Sequence, residues 1–289
     1  MTYAFTLLIY FEIYALVAAS LNLLIGYSGL LQVAHAAYFG IGAYTLALLT
    51  TRAGMPFPAA LVLAGVLGAA SSLLVSLPSR RMRGDSFVFM SMAVQIALYS
   101  LMVNWSELTG GSLGVAAIPR PRIAGSIFAT EGRILALYTI LAALLLGILG
   151  WLSASPFFRS LQAMRDDELA ARSLGIAVDK LRIWVFLIAS AVVGVAGGMY
   201  AGFVSYIDPK GFSLDESILM LSAVIVGGTG NVRGPIVGAV TLIAIPEALR
   251  LARLPDAVGS NIRLLAYGLL LLLMMRLRPQ GIAGRYRFE

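Results

Sequence analysis

The chain has 289 residues, of which 60% are hydrophobic and only 12% are charged, about half the charged fraction of a soluble domain. This composition excludes an ordinary soluble enzyme, and we predict a single transmembrane domain over residues 1–289. The net charge of +7 is typical of basic residues at cytoplasmic helix ends rather than of a surface that binds nucleic acid. The absence of cysteine excludes disulfides and thiolate chemistry.

We predict an all-α polytopic membrane protein with about nine transmembrane helices (eight to ten), because a helix needs about 20 residues to cross the hydrocarbon. The predicted spans are 5–25, 30–51, 57–78, 86–104, 133–153, 183–206, 217–230, 234–254 and 261–277. The first run has neither a basic stretch before it nor a small-residue cleavage site after it, which predicts a retained helix and not a signal peptide. The run 217–230 is too short for a full crossing at about 1.5 Å per residue.

Glycine-rich breaks interrupt the apolar sequence at 26–29 and at 227–230. Backbone that is not helical is tolerated at membrane depth only against other protein or beside a water-filled cavity. Two such breaks in separate halves of the chain predict a translocation pathway; two tight turns at the surface are the alternative. The candidate pathway residues are Gly26, Tyr27, Ser28, Gly29, His35, Gly227, Gly228, Gly230 and Asn231.

His35 is the only histidine, and it fits either this pathway or a packing role with a hydrogen bond to a backbone carbonyl. A third hypothesis arises because residues 26–29 match the G-x-S-G pattern of rhomboid intramembrane proteases. Such an enzyme needs a histidine within about 3 Å of the serine hydroxyl. His35 follows Ser28 by seven residues, about 10 Å along a helix, so no catalytic residue is predicted.

Basic residues are concentrated in loops that the order of the spans places on one side, which predicts that this side is the cytoplasm. That side carries 13 of the 21 basic residues, in the loop 80–83, the segment 156–182, Arg233 and the C-terminal tail. The opposite side carries the external loop 105–132 and the loop 208–216. The N-terminus is therefore predicted to lie outside and the C-terminus in the cytoplasm.

The polar segment 156–182 lies between long apolar runs and must therefore be in water. Asp166, Asp167 and Glu168 fit a helix start, where hydrogen-bond acceptors and negative charge are favoured, and Gly175 fits a left-handed helix end. The pattern predicts a helix of about two turns, preceded by a further turn at 160–165. The apolar side chains offered for contact are Leu161, Met164 and Leu169. A solvated loop helix and a docking element for a soluble partner fit this pattern equally well.

Small residues recur every four positions in the span 183–206, at Ser190, Gly194, Gly198 and Gly202. Lipid supplies no hydrophobic force between helices, so close backbone contact must hold them together. This row predicts a helix-packing seam rather than a surface that lines the substrate path.

Several segments resemble the branched-chain amino acid permease family of bacterial ABC importers. The residues 163–175, with Asp179-Lys-Leu-Arg182 after them, resemble the cytoplasmic segment of that family. Its other signatures are similar to 21–29 with 33–44, to 83–87 with 105–111 and 118–121, and to 227–238. The Arg-Gly-Asp and Thr-Gly-Gly elements look like the M-type subunit of the permease pair rather than the H-type. One departure is Gln32-Val33, where many relatives are expected to carry Ser-Leu.

The resemblance implies the permease subunit of an ATP-driven importer of branched-chain amino acids in the bacterial inner membrane. The implied partners are a second homologous permease subunit, two ABC ATPase subunits, a periplasmic or lipid-anchored substrate-binding protein and the lipid bilayer, without nucleic acid. In this family the cytoplasmic segment inserts into the ATPase, and the binding protein would dock on the loop 105–132. The implied ATPase-coupling residues are Arg165, Asp166, Asp167, Glu168, Ala171, Leu174 and Gly175.

The chain itself is not expected to be an enzyme or to hold a cofactor or metal. Neither Lys180 nor Lys210, its only lysines, fits a P-loop, so ATP and magnesium would bind to the partner ATPase subunits. Urea, short amides and other amino acids are alternative solutes for the family. An ion-coupled secondary transporter would need ionisable groups within its spans. Glu12 could instead snorkel to the surface and Glu247 could pair with Arg250, which favours an external energy source.

Overall fold

The computed structural model describes residues 2–82, 84–123, 126–128, 130–231 and 234–251, together with six isolated positions between 262 and 282. The helices are α1 (Thr2–Asn22), α2 (His35–Thr51), α3 (Phe57–Ser76), α4 (Asp85–Asn104), α5 (Ser106–Thr109), α6 (Glu131–Ser153), α7 (Pro156–Asp166), α8 (Glu168–Ser173), α9 (Val178–Val204), α10 (Leu214–Gly227) and α11 (Gly234–Leu251). A π-helix, Leu23–Tyr27, extends α1, and short 3-10 helices occupy Pro78–Arg80, Gly111–Leu113 and Pro209–Phe212. The two-residue strands β1 (Arg122–Ile123) and β2 (Ser126–Ile127) pair antiparallel.

Five segments of the described chain are long and apolar enough to cross a membrane. They are Tyr3–Tyr27, Phe57–Arg80, Asp85–Asn104, Glu131–Ser153 and Val178–Val204. These segments coincide with five of the predicted spans, so the prediction of a helical multi-pass protein is confirmed. The helices α2, α10 and α11 lie on three further predicted spans but are not among these five. The predicted span 261–277 falls almost entirely outside the described residues, and the count of nine stays a prediction.

The helix α2 begins five residues later than the predicted span 30–51, because the first glycine break occupies more chain than the apolar pattern indicates. Gly29 has a φ of +69°, a left-handed conformation that ends the π-helix at low cost only for glycine. The first amides of α2 are then satisfied from other helices. The Ser217 hydroxyl accepts from Ala36 N at 2.9 Å, and Gln95 Oε1 accepts from Ala37 N at 2.9 Å.

The helix α10 ends at the second glycine break instead of continuing across it. Gly228 and Gly230 have φ angles of +101° and +80°, and α11 starts at Gly234. The side chain of Asn231 accepts from Gly234 N at 2.6 Å, which satisfies one of the free amides at the start of α11. At 14 residues, α10 spans about 21 Å, which agrees with the prediction that this segment is too short for a full crossing.

The helices α2, α3 and α9 form a tightly packed centre in which backbone meets backbone. A Cβ atom on Gly42 of α2 would lie 2.0 Å from the carbonyl oxygen of Gly194 in α9, and one on Gly194 would lie 2.6 Å from the carbonyl oxygen of Ala64 in α3. Such approaches are possible only for glycine and are typical of helix contacts in lipid.

The small-residue row of α9 lies at this centre. Gly198 faces Leu61 and Leu46, Gly202 faces Phe57 and Tyr138, and the carbonyl oxygen of Ser190 would lie 2.7 Å from a Cβ atom on Gly68. All four positions therefore lie at contacts with α2, α3 or α6.

Long-range contacts sort the connecting segments into two ends of the fold. At the first end, which we call the α7–α8 end, Arg165 bonds the backbone of Gly26, and Arg182 bonds the backbone of Ser79. At the opposite end, Val115 of the loop 105–132 forms a bridge with Ile207, and Tyr3 bonds Glu247. These groups agree with the pairing of loops used to predict the topology; which end faces the cytoplasm stays a prediction.

Candidate functional site

The polar segment folds into two helices, of which α7 is longer than predicted. The predicted helical turn at 160–165 is part of a longer helix, Pro156–Asp166, with proline in its first turn, where proline is favoured. Leu161 and Met164 are 0% and 4% exposed, so they pack into the protein rather than offering contact to a partner. This correction has a physical cause: α7 is amphipathic, and its apolar face seats the segment on the bundle.

The predicted limits of α8 are confirmed. The side chain of Asp167 accepts from Leu169 N at 2.8 Å and from Ala170 N at 3.0 Å, which is the N-cap arrangement expected of aspartate. At the other end Gly175 has a φ of +82°, the left-handed conformation that commonly follows a helix. The helix that results, Glu168–Ser173, is short but fixed at both ends.

Glu168 points towards the protein and ties α8 to neighbouring segments. Its two carboxylate oxygens accept from Arg172 at 3.0 Å and from Arg182 at 2.8 Å. Arg182, whose side chain is 7% exposed, also donates to the carbonyl oxygen of Ser79 at 2.7 Å. Arg172 in turn pairs with Asp179 at 2.7 Å, and hydrogen bonds to Asp179 and Glu168 raise the pKa of Arg172 above its ordinary value. The network holds α8 rigidly on the start of α9.

Two large apolar side chains, one near the start of α8 and one directly after its end, are exposed to solvent. Leu169 is 70% exposed and Leu174 is 79% exposed, while Ala171 between them is 2% exposed and packs inward. We call Leu169 and Leu174 the leucine pair. Exposed leucines on a rigid, charged segment are typical of a surface that a partner covers. Among the predicted coupling residues, Leu174, Gly175, Asp166 and Asp167 are exposed, whereas Ala171 and Glu168 hold the helix in place.

A cavity of about 360 Å³ opens beside α8, between the first glycine break and the start of α4. Its wall combines the first glycine break with the charged segment: it includes Ser28, Gly29, Asp85, Arg165, Asp166, Asp167, Glu168 and Arg182. The structure thereby brings the residues predicted for the pathway at 26–29 together with those predicted for coupling, which lie about 140 positions apart in the sequence.

The two glycine breaks touch each other at Gly26. A Cβ atom on Gly26 would lie 2.4 Å from Gly230 N and 2.3 Å from Asn22 Oδ1. Asn22 bonds the second break with both ends of its amide: its oxygen accepts from Gly230 N at 3.1 Å, and its nitrogen donates to Asn231 O at 2.9 Å. Gly227 lies a turn earlier, where α10 crosses α11 so closely that a Cβ atom would be 2.4 Å from Gly234 O.

His35 lies at the start of α2, 1% exposed, and belongs to a polar cluster rather than to the cavity wall. The Ser20 hydroxyl donates to Val17 O at 2.8 Å and so accepts from His35 Nε2, also at 2.8 Å. His35 Nδ1 then accepts from Gln32 Nε2 at 3.1 Å. This arrangement assigns a neutral imidazole with its proton on Nε2.

Ser28 and His35 are each engaged elsewhere in the described part of the chain. The Ser28 hydroxyl donates to Leu24 O at 2.7 Å, and both ring nitrogens of His35 have the partners named above. A protease would need these two side chains to bond each other, so the geometry does not favour the rhomboid hypothesis.

The two carboxylates considered for ion coupling each contact a hydroxyl on another helix. The Thr139 hydroxyl of α6 donates to Glu12 at 2.5 Å, and the Tyr3 hydroxyl donates to Glu247. The predicted partner of Glu247, Arg250, has a side chain outside the described residues. Neither carboxylate lines the cavity beside α8.

Sequence reasoning missed Asn22 and Arg182 as site residues. A signal was present for Asn22, an amide inside an apolar run, and for Arg182, a cation next to a span. Neither signal identifies the partner, because the partners of Asn22 lie more than 200 positions away.

Replacing Arg182 by alanine is expected to lower the stability of the purified protein. The change leaves Glu168 with one cation instead of two, and removing one partner of a buried ion pair costs about 3 kcal/mol; the 17% exposure of Glu168 reduces this to about 1–2 kcal/mol. Thermal unfolding in detergent measures the effect. Lys180→Ala, an exposed cation two positions earlier, is the matched control, and equal melting temperatures for the two variants would contradict the role of this ion pair.

Comparison with known proteins places these features in a family context. The family described as branched-chain amino acid transport system / permease component matches residues 3–275 of this chain. The high-affinity branched-chain amino acid transport system permease protein LivM of Escherichia coli (strain K12) is 32% identical over 293 residues, covering 93% of this chain and 67% of the relative. LivH of the same organism is 26% identical over 298 residues, covering 96% of this chain and 92% of the relative.

More distant similarities span nearly the whole chain. A probable branched-chain amino acid transport permease protein LivM of Methanocaldococcus jannaschii is 25% identical over 319 residues, covering 96% of this chain and 92% of the relative. Among solved structures, PsaBC from Streptococcus pneumoniae in complex with Fab matches with 14% identity and a TM-score of 0.49, covering 95% of this chain and 91% of the other.

Proposed function

Because this chain belongs to the family of branched-chain amino acid transport system permease components, we propose that it is the M-type permease subunit of an ATP-driven importer of branched-chain amino acids. It would pair with an H-type permease, two ATPase subunits and an external substrate-binding protein. Similarity to both LivM and LivH of one organism supports a pair of related permeases. We further propose that the chain has about nine spanning helices, with the N-terminus outside and the C-terminus in the cytoplasm.

The observation that carries the ATP-driven mechanism is the leucine pair on α8. The helix is fixed by the Asp167 cap and the Glu168–Arg182 ion pair, so a push on Leu169 or Leu174 moves the whole element instead of bending a loop. Its exposed side matches a partner with an apolar groove. The exposed Arg80 and Arg81 lie at the same end of the fold, which supports a cytoplasmic position for α8.

ATP and magnesium would bind entirely to the partner ATPase subunits. Closure of those subunits would displace α8 and, through it, the first glycine break that shares the cavity wall. The solute would pass through contacts of low affinity, with selectivity provided mainly by the binding protein on the loop 105–132. Transport of urea, short amides or other amino acids would use the same parts, and the family description favours branched-chain amino acids.

Uptake by the reconstituted complex tests the proposal. The chain is co-expressed with the second permease, ATPases and binding protein of its own genome and placed in proteoliposomes with labelled leucine, urea or ribose. We expect leucine uptake that requires ATP and persists after ionophores collapse the sodium and proton gradients. Uptake without ATP that ionophores abolish would instead identify a secondary transporter, and a preference for urea would reassign the solute.

A further inference from the structure

The side chain of Asn22 forms two hydrogen bonds with the backbone of the second glycine break. Asn22 is the last residue of α1 and is 2% exposed. Its oxygen accepts from Gly230 N at 3.1 Å while its nitrogen donates to Asn231 O at 2.9 Å. Only an amide side chain offers an acceptor and a donor side by side for this purpose, so the contact specifies asparagine or a close equivalent rather than any polar residue.

Gly26 lies on the other side of Asn22 and leaves no room between the two breaks. A Cβ atom there would be 2.4 Å from Gly230 N, closer than any van der Waals contact. The first and second breaks therefore touch backbone to backbone, and movement of Gly26 must be transmitted to Gly230.

Arg165 connects Gly26 to the polar segment. Its Nη1 donates to the carbonyl oxygen of Gly26 at 2.6 Å, a charge-assisted bond of the stronger kind. The stem of the same side chain packs on Gly29, where a Cβ atom would be 2.8 Å from Arg165 Cγ. Arg165 is 12% exposed and immediately precedes the Asp166–Asp167 turn that leads into α8.

The element between Arg165 and Asn22 is a π-helix, Leu23–Tyr27. A π-helix holds one more residue per turn than an α-helix needs, and such turns are frequent at functional sites. Relaxing the π-helix into an α-helix would rotate the Gly26 carbonyl away from Arg165. Such a change would give the segment two discrete arrangements, which is what transmission through a packed protein requires.

We propose that Arg165, Gly26 and Asn22 form the route by which movement of α8 reaches the second glycine break. Asn22 and Arg165 are positioning residues of the transport cycle in this scheme, and the inference rests on the proposed function. One cavity is lined by Arg165 at the first end of this route, and a second, apolar cavity of about 160 Å³ is lined by Asn22, Tyr27 and Asn231 at its other end. Breaking the Asn22 contact would disconnect the break at 227–230 from the ATPase.

The test is the ratio of ATP hydrolysed to leucine imported by the reconstituted complex. In Asn22→Ala we expect normal co-purification with the ATPase, continued ATP hydrolysis and a ratio raised about tenfold, since the variant removes two hydrogen bonds of the route. In Arg165→Ala, which changes the coupling segment itself, we expect a similar rise in the ratio, measured per ATPase retained in the complex. Asn104→Ala is the matched control, because this asparagine is exposed and its side-chain amide donates within its own helix, to Ser100 O. Its ratio should equal that of the wild type.

The double variant Asn22→Ala/Arg165→Ala separates a route in series from two independent effects. If both residues act in one route, the double variant is no worse than the worse single variant. The proposal would be overturned if the effects of the two single substitutions on the ratio multiplied in the double variant. It would also be overturned if the ratio for Asn22→Ala stayed within twofold of the wild type.

A labelling experiment gives an answer even where Asn22→Ala fails to assemble. The chain has no cysteine, so Thr229→Cys, at a position 1% exposed in the second break, reports on that break alone. In the wild-type background we expect a non-hydrolysable ATP analogue to change the rate of maleimide labelling several-fold, and in Arg165→Ala or Asn22→Asp we expect this change to be lost. A change of wild-type size in those variants would overturn the route. A wild-type complex that neither binds an ATPase nor imports leucine would instead contradict the proposed function.

Discussion

Leu174→Glu is expected to release the ATPase subunits from the complex and to abolish import. Leu174 is 79% exposed on the rigid end of α8, so in the complex its side chain would be the part most deeply covered by the partner. A carboxylate in an apolar groove is left without hydrogen-bond partners, and loss of such a central contact costs about 2 kcal/mol or more, which is about 30-fold in affinity. Co-purification of the ATPase with the tagged permease measures the loss.

Leu113→Glu provides the matched control at the opposite end of the fold. Leu113 is 83% exposed in the loop 105–132, so the same chemical change meets a similar environment in the free chain. ATPase co-purification should stay at the wild-type level in this variant, while stimulation by the binding protein should fall. If Leu174→Glu retained the ATPase as well as Leu113→Glu does, the leucine pair would not be the docking surface.

Gly42→Ala is expected to prevent stable folding, the largest effect on stability that we predict. One methyl group on Gly42 would lie 2.0 Å from the carbonyl oxygen of Gly194 and 2.6 Å from its Cα atom. Because both atoms belong to the backbone of α9, no side-chain rotation relieves the clash, and the helices must move apart. Overpacking costs about 1–3 kcal/mol even where side chains can adjust, so we expect a cost at or above the top of this range.

Gly147→Ala in α6 is the control for the glycine variants. A Cβ atom at Gly147 has no neighbouring atom within 4 Å, and alanine is favoured over glycine inside a helix by about 1 kcal/mol. This variant should therefore melt at or slightly above the wild-type temperature. Gly194→Ala, with its 2.6 Å approach to Ala64 O, should resemble Gly42→Ala. Equal yields and melting temperatures for Gly42→Ala and Gly147→Ala would show that α2 and α9 are not packed as described.

Features with a local cause are the ones that the sequence predicts correctly. Hydropathy over about 20 residues places five of the spanning helices, because the bilayer imposes one length on every span. The Asp167 cap and the left-handed Gly175 depend on neighbours within four positions. The length of α7 was underestimated, since Leu161 and Met164 reveal an inward face only once the surface beneath them is known.

Contacts between distant positions were decided only by the tertiary structure. Nothing near Glu168 indicates that its carboxylate faces Arg182, which itself reaches the backbone of Ser79, 103 positions earlier. Asn22 likewise meets Gly230 across 208 positions. Such pairs leave no period in the sequence, because they depend on how whole helices cross. The sequence by itself therefore determined the kind of protein, its family resemblance and the limits of α8, whereas the fold decided which side chains of the polar segment face outward and which join the two glycine breaks.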